Sequence, residues 1–454
     1  MNSLLLRSGR VIDPASAIDG AFDVLVVSGE IAAVAPAGTR EWPRDVFGID
    51  ASGFWVLPGL IDPHVHLRDP GFPEKETIAS GLRAAAAGGF TTVAAMANTN
   101  PVNDSPATCA YMRDRAREVA AARLVPVSAV TLGLAGRIPV DFAAMAEAGA
   151  RLFSDDGMPV DDPAILTRAL EAVSNLKLAV SLHEEDRALV KGGAVNEGGV
   201  SRRLGVPGVS TTSEAVRVRR DLAIVREASA HAHIAHVSTA ESIELIRAAR
   251  EHGSPVTCEV TPHHFMLDDS AVLRWGPNAK MAPPLRDRRH LDALRSALAD
   301  GTIDMIATDH APHDPSSKQA AMLAGCFDPS REASTLGHEQ ANAFIRAANG
   351  VVGLETALGL AMTLVHQKLI SPLRLAELMS VNPSRLLRLD HGKLAPGAAA
   401  DITVVDPNLE WTVDPARFLS KSRNTPFAGM KLRGKAILTL VGGTVVYDGR
   451  RGSP

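Results

Sequence analysis

Residues 57–67 read LPGLIDPHVHL, an apolar run that ends in two histidines separated by one residue. An apolar run without polar alternation is typical of a strand buried on both faces of a parallel sheet. Seven further runs of this kind end in polar side chains: GGFTTVAAMANT (88–99), RLVPVSAVTLG (123–133), GARLFSDDG (149–157), LKLAVSLHEED (176–186), AHIAHVST (232–239), SPVTCEVTPHH (254–264) and IDMIATDHAPH (303–313). The sequence therefore contains eight candidate strands.

Helical segments separate most of these runs. Stretches such as PAILTRALEAVSN (163–175) and DRRHLDALRSALAD (287–300) have apolar residues three and four positions apart, which predicts amphipathic helices. Eight strands alternating with helices predict an α/β fold, a (β/α)8 TIM-like barrel. The alternative is an open doubly wound sheet. That fold needs a glycine-rich phosphate loop after its first strand, and none follows LPGLIDPHVHL.

The two ends of the chain differ from its middle. Residues 1–57 contain Val- and Ile-rich runs broken by Gly, Pro and Asp, and residues 392–450 resume this pattern. The pair Gly442–Gly443 predicts a tight hairpin turn. We therefore expect a small β-sandwich-type domain built from both termini, residues 1–57 plus 388–454, and a catalytic barrel of residues 58–387, a division that a chain of 454 residues favours.

Composition narrows the class of protein. The chain has 46% apolar residues, 22% charged residues and a formal net charge of −4, so we expect a globular protein without a basic surface for nucleic acid. No apolar run reaches the roughly 18 residues of a membrane span, and the start, MNSLLLRSG, has only three consecutive leucines where a signal peptide needs an apolar run of roughly 7 to 15. Cys109, Cys258 and Cys326 lie far apart in the sequence, which predicts reduced thiols. We expect a cytoplasmic protein that does not bind a membrane.

Candidate metal ligands occur where the apolar runs turn polar, at the carboxyl ends of the predicted strands. Because strand side chains alternate with a period of two, the imidazoles of His64 and His66 point to the same side. Such a pair alone is also consistent with a polar strand end. Other runs end in Asp155–Asp156, His183, His236 and Asp309. Imidazoles and carboxylates that converge at one end of a barrel favour zinc, whereas magnesium prefers oxygen ligands alone.

The positions of the other histidines indicate roles other than metal binding in most cases. His231 and His233 open the sixth run, so we expect them to lie away from the barrel mouth with a structural role. His263 and His264 follow a proline at a strand end. They either pack against the rim of the barrel or hold metal ligands in place from behind. His252 precedes a glycine and predicts a helix C-terminus. We expect solvated side chains at the remaining positions in helices or loops: His290, His338, His366 and His391.

Six motifs occur in order along the predicted barrel: HVHLRDPG (64–71), FTTVAAMANTNPV (90–102), FSDDG (153–157), TPHH (261–264), PPLR (283–286) and ATDHAPH (307–313). Together they resemble the bacterial class I dihydroorotases of the amidohydrolase superfamily. The resemblance covers most of the chain, and HVHLR and ATDHAPH are its most specific parts. It implies reversible, zinc-dependent cyclisation of N-carbamoyl-L-aspartate to (S)-dihydroorotate in pyrimidine (UMP) biosynthesis.

The resemblance also implies a ligand set for one or two zinc ions. One ion would be held by His64, His66 and Asp309, and a second by His183 and His236, with Asp156 bridging the two. Hydantoinases and allantoinases use a carbamylated lysine at the bridging position. GARLFSDDGMPV (149–160) contains no lysine, which favours dihydroorotase. The choice of Asp156 over Asp155 follows from the motif match alone.

Substrate contacts and a mechanism follow from the same resemblance. Arg68, Asn98 and His313 would bind the carboxylate of dihydroorotate, and a guanidinium suits a planar carboxylate. Zinc would lower the pKa of bound water to about 7. Asp309 would accept the proton of the attacking water as general base and return it to the departing amide nitrogen as general acid. For Arg68 and Asn98, a surface arginine and ordinary turn chemistry are the alternatives.

The sequence departs from the family pattern at two motifs and one loop. Many relatives have Asn where KMAPPLR has Ala282, and many read MPNT where this chain has MANT; both differences lie in motifs that bear on substrate binding. Residues 314–350 form a longer connection than the family usually has. Its place after the last strand predicts a lid over the site, with a disordered insertion as the alternative.

Two other functions compete with dihydroorotase. The first is another cyclic amidohydrolase, a hydantoinase (dihydropyrimidinase) or an allantoinase. The second is a non-catalytic dihydroorotase-like partner of aspartate transcarbamoylase, which should have gaps in its ligand set, and this chain has none. We expect a homodimer that acts on a small molecule, and an active enzyme is also compatible with association with aspartate transcarbamoylase.

Overall fold

The computed structural model describes residues 3–43, 45–318, 327 and 333–451. Within these ranges the strands form two eight-stranded sheets and one two-stranded sheet. In chain order the strands are β1 (Ser3–Asp13), β2 (Ile18–Val27), β3 (Glu30–Pro36), β4 (Phe47–Asp50), β5 (Trp55–Pro58), β6 (Leu60–Val65), β7 (Phe90–Ala95), β8 (Arg123–Ser128), β9 (Leu152–Phe153), β10 (Ala179–Leu182), β11 (Val195–Asn196), β12 (Gly208–Val209), β13 (Ala232–Ile234), β14 (Val256–Val260), β15 (Met305–Ile306), β16 (Ile402–Thr412), β17 (Lys431–Val441) and β18 (Thr444–Asp448).

The middle of the chain forms a nearly closed barrel of eight parallel strands. Its strand order is β6-β7-β8-β9-β10-β13-β14-β15, which is the order of the apolar runs in the sequence. The chain beyond β15 returns to the first strand, where the backbone N–H of His66 donates to the carbonyl of His310 at 2.8 Å. Val65 and His310 also form a parallel bridge. The barrel predicted from the sequence is confirmed.

The barrel strands are short and buried on both faces. Every residue of β6, β7 and β10 is buried, because one face of each strand points into the barrel and the other packs against helices. This double burial explains why the strands read as continuous apolar runs. It also explains why polar side chains are frequent where the runs end, where the site lies.

Helices connect the strands. Within the described ranges the α-helices are α1 (Ile78–Ala87), α2 (Pro106–Val119), α3 (Phe142–Glu147), α4 (Pro163–Asn175), α5 (Arg187–Val190), α6 (Gly199–Leu204), α7 (Thr212–Ala228), α8 (Ala240–Glu251), α9 (Pro262–Met266), α10 (Ala271–Trp275), α11 (Arg288–Asp300), α12 (His338–Arg346), α13 (Ala357–His366), α14 (Pro372–Ala376) and α15 (Asn382–Leu386). Short 3-10 helices occur at Pro14–Ser16, Leu132–Leu134, Gly276–Ala279, Pro415–Arg417 and Gly449–Arg451, and a π-helix at Glu377–Val381.

Helix α4 shows how the sequence specifies these connections. The side chain of Asp162 accepts a hydrogen bond from the N–H of Ala164, and Pro163 occupies the first turn, where its missing N–H costs nothing. The buried residues of α4 recur three or four positions apart and form one apolar stripe toward the barrel: Ile165, Leu166, Ala169, Leu170 and Val173.

Strands from both termini share the second large sheet. Its order is β18-β17-β16-β5-β1-β2-β3, and β4 pairs with β1. Strands from the two ends of the chain contribute to one apolar cluster, in which Val24 and Ile31 lie together with Leu438 and Leu440. A hairpin joins β17 to β18 at Gly442–Gly443, where both residues have positive φ. The sheet built from both termini and its hairpin are as predicted.

The division into a terminal domain and a barrel at residues 57/58 and 387/388 stays a prediction. Strands β1–β5 end at Pro58 and strand β16 begins at Ile402, which is compatible with that division. Among the helices that the structure describes, none combines the length and the apolar character needed to cross a membrane.

Candidate metal-dependent active site

The six side chains predicted to bind metal meet at the carboxyl ends of the barrel strands. His64 and His66 lie at the end of β6, and the other four follow β9, β10, β13 and β15. All are buried. Two groups offer ligand atoms within 4.8 Å of one another, His64 with His66 and Asp156, and Asp156 with His183 and His236. The structure therefore contains clusters that could hold a metal ion; the ligand role of each residue stays a prediction.

Asp156 lies at the centre of the four imidazoles. Its Oδ1 is 3.5 Å from Nε2 of His64, 3.3 Å from Nδ1 of His183 and 3.5 Å from Nε2 of His236. Its Oδ2 is 3.5 Å from Nε2 of His66. Because this carboxylate contacts imidazoles of both candidate ligand groups, its position suits a bridging ligand.

Asp309 lies beside the histidine pair of β6. Its Oδ1 is 3.0 Å from Nε2 of His66 and 3.7 Å from Nε2 of His64. It thus lies near the same two Nε2 atoms as Asp156, which is compatible with the predicted ligand set.

Asp155 has a different task from its neighbour. Its carboxylate accepts hydrogen bonds from the backbone N–H groups of Val130 and Thr131 at 2.7 and 3.1 Å, and also from the hydroxyl of Thr131. Those contacts hold the loop after β8. The geometry therefore favours Asp156 as the ligand, a choice that the sequence alone made only by motif.

The ring nitrogens that face away from the cluster have hydrogen-bond partners. Nδ1 of His64 is 2.7 Å from Oε1 of Glu259, and Nδ1 of His66 is 2.9 Å from Oδ1 of Asn98. These contacts fix each ring with Nε2 toward the carboxylates. Within the described residues, Nε2 of His64 is buried without a hydrogen-bond partner, as expected of an atom reserved for a metal. Carboxylates or amides behind the histidines are typical of zinc sites.

His183 has a similar partner on its outer side. Its Nε2 is 3.3 Å from Oε2 of Glu185, while Nδ1 is 3.0 Å from Nε2 of His236. Glu185 and Glu259 were not identified in the sequence. Two signals pointed to them: Glu185 lies two residues after His183 at the end of the same run, and Glu259 is a charged residue inside a buried strand.

The electrostatics of the cluster favour a cation in its midst. Burial alone would raise the pKa of Asp156, but the charge of His64 and hydrogen bonds from His183 and His236 hold it well below its usual value. Burial would likewise raise the pKa of Asp309, and His66 and His64 lower it instead. Burial opposes a charged His183, yet Asp156 and Glu185 raise its pKa to about 10. Both carboxylates are thus stable as anions only beside positive charge, which a bound divalent ion would supply.

Three residues of the site have positive φ, a conformation that side chains other than glycine rarely adopt. The φ angles of Arg68, His236 and Asp309 are 59°, 32° and 46°. Backbone strain of this kind is concentrated at functional sites, where the surrounding structure enforces it. Here it turns the chain at the ends of β6, β13 and β15, where the predicted site residues lie.

A cavity of about 220 Å³ opens beside the cluster. Its wall includes Arg68 and Asn98, two of the predicted substrate contacts, and Ala282, the position where many relatives have Asn. Asn349 and Gly350 also line the cavity. Arg68 is half-buried, and its Nε donates to the carbonyl of Pro312 at 3.3 Å.

His313 lies next to this wall. Its Nε2 donates to the carbonyl of Asn349 at 2.7 Å, and its Nδ1 has no hydrogen-bond partner among the described residues. Burial and then the charge of Arg68 lower the pKa of His313 to about 3. In this structure the ring is neutral at neutral pH, and Nδ1 is its free position.

The predicted lid spans residues 314–350. Residues 319–326 and 328–332 of this segment lie outside the described residues, so the lid stays a prediction. Of the described part, α12 lies before Asn349 and Gly350, which line the cavity.

The remaining histidines meet the predictions in part. His231 and His233 lie outside both candidate ligand groups. His252 caps the C-terminus of α8, as predicted, with Nδ1 2.7 Å from the carbonyl of Ala248. His263 and His264 are both buried, and Nε2 of His264 donates to the carbonyl of Pro283 at 3.0 Å.

The prediction of a solvated side chain was wrong for His290. Its ring is buried, and Nδ1 accepts a hydrogen bond from the backbone N–H of Ala240 at 3.0 Å. The first turn of α8 needs such an acceptor, which explains the burial. His391 is half-buried rather than solvated, whereas His338 and His366 are exposed as expected.

Comparisons with known proteins identify relatives of this chain. Residues 53–242 match the protein family described as Dihydro-orotase-like. A curated dihydroorotase of Syntrophus aciditrophicus is 46% identical over 98% of this chain and 99% of its own length. A dihydroorotase of Citrifermentans bemidjiense is 44% identical over 98% of this chain and 100% of its own.

Solved structures of the same fold are more distant in sequence. The L-hydantoinase (dihydropyrimidinase) of Arthrobacter aurescens superposes with a TM-score of 0.84 at 24% identity, covering 99% of this chain and 96% of its own. The dihydropyrimidinase of Brevibacillus agri gives a TM-score of 0.82 at 23% identity, with 98% and 95% covered. At this level of identity the likeness shows the barrel fold alone.

Proposed function

The chain belongs to the dihydroorotase family, and from this premise we propose that it catalyses the reversible cyclisation of N-carbamoyl-L-aspartate to (S)-dihydroorotate in pyrimidine biosynthesis. The single observation that carries the proposal beyond family membership is the convergence of four imidazoles and two carboxylates beside a cavity that an arginine lines. A cyclic amide with a carboxylate substituent matches this site, because the candidate metal cluster suits the amide and the arginine of the cavity suits the carboxylate.

We propose zinc as the metal, with His64, His66 and Asp309 holding one ion. His183 and His236 would hold a second, and Asp156 would bridge the two. Nitrogen and oxygen donors from histidine and aspartate are typical of catalytic zinc. When bound, zinc lowers the pKa of a water molecule to about 7 and polarises the carbonyl under attack.

Asp309 moves the proton in this proposal. In the hydrolytic direction its ionised carboxylate accepts a proton from the attacking water, and the bond between the ring carbonyl carbon and the amide nitrogen breaks. The same carboxyl group returns the proton to the departing nitrogen. In the biosynthetic direction Asp309 accepts a proton from the attacking ureido nitrogen, since the reverse reaction must follow the same path. The 3.0 Å contact with His66 keeps the carboxylate oriented.

Arg68, Asn98 and His313 are the proposed contacts to the substrate carboxylate. The guanidinium of Arg68 is well suited to a planar carboxylate, because it offers several N–H donors in one plane. Nδ1 of His313 is free of partners, and a carboxylate close to it would favour the protonated ring. Asn98 holds His66 through Oδ1, which leaves its amide N–H groups for the substrate.

Two alternatives are less well supported. A hydantoinase or allantoinase would have a carbamylated lysine at the bridging position, and this chain has Asp156. A non-catalytic partner of aspartate transcarbamoylase would lack ligands, and here all six side chains converge.

We retain class I membership, a cytoplasmic homodimer and association of the active enzyme with aspartate transcarbamoylase as proposals. The buried, unpaired Cys109 and Cys258 are consistent with a reducing compartment.

The test is a substrate panel on zinc-loaded protein. We expect hydrolysis of dihydroorotate at least about a hundredfold faster, in kcat/KM, than that of hydantoin or allantoin, since the latter two leave Arg68 without a carboxylate. Protein stripped by a chelator is the control, and zinc should restore its activity. Preferred hydrolysis of hydantoin or allantoin would contradict the proposal, as would full activity without metal.

A further inference from the structure

One segment near the C-terminus reaches from the terminal sheet to the rim of the barrel. Residues 418–427, here called the rim segment, lie between the 3-10 helix Pro415–Arg417 and β17. Phe418 and Phe427, at its two ends, are buried in one apolar cluster with Val352 and Leu360. These anchors fix the segment against the barrel.

The rim segment binds the loop after β6, which also carries Arg68. The hydroxyl of Ser420 donates to Oε2 of Glu76 at 2.5 Å, and the hydroxyl of Ser422 donates to the carbonyl of Lys75 at 2.7 Å. The terminal part of the chain thus supports one of the two loops proposed to bind the substrate carboxylate.

Asn424 binds the other loop. Its Nδ2 donates to the carbonyls of Ala311 and Gly350, both at 3.0 Å. Its Oδ1 accepts the backbone N–H of His313 at 3.2 Å, and its own carbonyl accepts the N–H of Val352 at 2.9 Å. The side chain is only 6% exposed.

The amide group matches its surroundings completely. A primary amide offers two N–H donors and one carbonyl acceptor, and here both donors and the acceptor are used. Aspartate has the same shape but no donors, and it would face the carbonyls of Ala311 and Gly350 with a negative oxygen. Alanine would take these partners from the carbonyl of Ala311 and the N–H of His313 and would leave the carbonyl of Gly350 with Lys318 alone, which is costly at a buried position.

The groups that Asn424 binds are parts of the cavity wall. Ala311 and Gly350 line the cavity, and His313 follows Ala311 by two residues. Gly350 receives a second donor from Nζ of Lys318 at 2.8 Å, so its carbonyl is held from two sides. The amide of Asn424 therefore helps to set the spacing between these two chain segments, together with the backbone bond from the N–H of Ala311 to the carbonyl of Val351 at 2.8 Å.

We propose that Asn424 is a positioning residue for substrate specificity, which holds Ala311, His313 and Gly350 in the arrangement that receives the ring carboxylate of the substrate. It does so without touching the substrate itself. This inference rests on the proposed function, because it assigns Asn424 to the carboxylate half of the same site.

The test measures binding of orotate, the unsaturated analogue of dihydroorotate, and of uracil, which lacks the carboxylate, by calorimetry on zinc-loaded protein. For Asn424→Ala we expect the Kd for orotate to rise about tenfold, the effect of losing about one well-made hydrogen bond, with the Kd for uracil unchanged. In turnover, KM for dihydroorotate should rise by a similar factor, while kcat and zinc content stay near those of the wild type.

Asn382→Ala is the matched control. The Nδ2 of Asn382 donates to the carbonyl of Asp304 at 2.8 Å, at the opposite end of β15 from the site. This variant removes an asparagine bond to a backbone carbonyl, and the bond that Oδ1 of Asn382 accepts from Arg385 at 3.3 Å, without altering the cavity wall, so both dissociation constants should stay unchanged. Asn424→Asp keeps the size of the side chain and should also weaken orotate binding.

The outcomes separate this inference from the proposed function. Equal losses for orotate and uracil, or an unchanged Kd for orotate, in Asn424→Ala would overturn the inference, whereas the proposed function would stand. A wild type that neither binds orotate nor hydrolyses dihydroorotate would overturn the proposed function. Because a dissociation constant does not depend on the folded fraction, which alters only the stoichiometry of the titration, partial unfolding leaves the result interpretable.

Discussion

The chain carries the pattern His-x-His on two barrel strands, and the two pairs have different surroundings. His64 and His66 end β6, and Nε2 of each is 3.5 Å from an oxygen of Asp156. His231 and His233 begin β13, and both rings contact the hydroxyl of Thr257, at 3.2 and 3.0 Å. The same motif thus faces a carboxylate cluster in one case and a neighbouring strand in the other.

The difference shows that position along a strand, and not the motif, decides which pair can bind metal. In a parallel barrel only the carboxyl ends of the strands meet loops that add further ligands. A pair that opens a strand has its hydrogen bonds satisfied inside the barrel wall. Burial, and then the positive charges of His233 and Arg388, lower the pKa of His231 to about 4.

The two pairs are nevertheless connected. Glu259 places Oε1 2.7 Å from Nδ1 of His64 and Oε2 3.0 Å from Nε2 of His233. Burial would raise its pKa, but the charges and hydrogen bonds of these two histidines lower it to about 2. His233 therefore supports the carboxylate that orients His64, one step behind the site.

The largest expected effect comes from removing a ligand of the first pair. In His66→Ala we expect kcat to fall at least about ten-thousandfold, because bound zinc and the proton acceptor Asp309 both depend on this ring and each supplies several kcal/mol. His231→Ala is the matched control, with activity within about twofold of wild type. Comparable losses in both variants would break the distinction between the pairs.

Asp309→Asn should lower kcat about a thousandfold, since an amide keeps the shape of the side chain but cannot accept the proton. The fold should survive, and circular dichroism and the thermal midpoint check this. Measurable full activity in the variant would remove Asp309 from proton transfer.

Glu259→Gln probes the connection between the pairs. We expect zinc affinity to fall about 10- to 100-fold, the usual cost of losing a carboxylate behind a histidine ligand. Competition with a chelating dye measures this affinity independently of activity. Zinc affinity equal to that of the wild type would mean that Glu259 is only a packing residue.

Arg68→Ala should act chiefly on substrate binding. We expect KM for dihydroorotate to rise about tenfold or more, because a charged hydrogen bond to the carboxylate is lost, with a smaller change in kcat. Arg68→Lys keeps the positive charge but not the planar guanidinium, so its KM should lie between those of the wild type and Arg68→Ala. Unchanged KM and kcat in Arg68→Ala would exclude this arginine from the site.

Much of the architecture could be predicted from the sequence because burial on both faces leaves a strong signal. Each barrel strand is an apolar run, and polar side chains at its end have to face the mouth. The same logic placed His183 and His236 in one cluster although 53 residues separate them. The terminal sheet could be predicted from the Val- and Ile-rich runs, broken by Gly, Pro and Asp, that occur at both ends of the chain.

Other parts depend on contacts that the sequence does not encode locally. His290 has the spacing of an ordinary helix residue, and its burial comes from the first turn of a neighbouring helix. Asn424 lies in a segment without periodicity, and its partners Ala311 and Gly350 are 113 and 74 residues away. Residues with such partners become visible only when the packing of distant segments is known.

The most direct test of the account is anomalous diffraction at the zinc edge from crystals of the zinc-loaded protein. We predict a strong peak about 2.0–2.2 Å from Nε2 of His64 and His66 and from a carboxylate oxygen of Asp309, with occupancy of the His183 and His236 side showing whether a second ion binds. A map without a peak at His64 and His66, or with its zinc at His231 and His233, would contradict it.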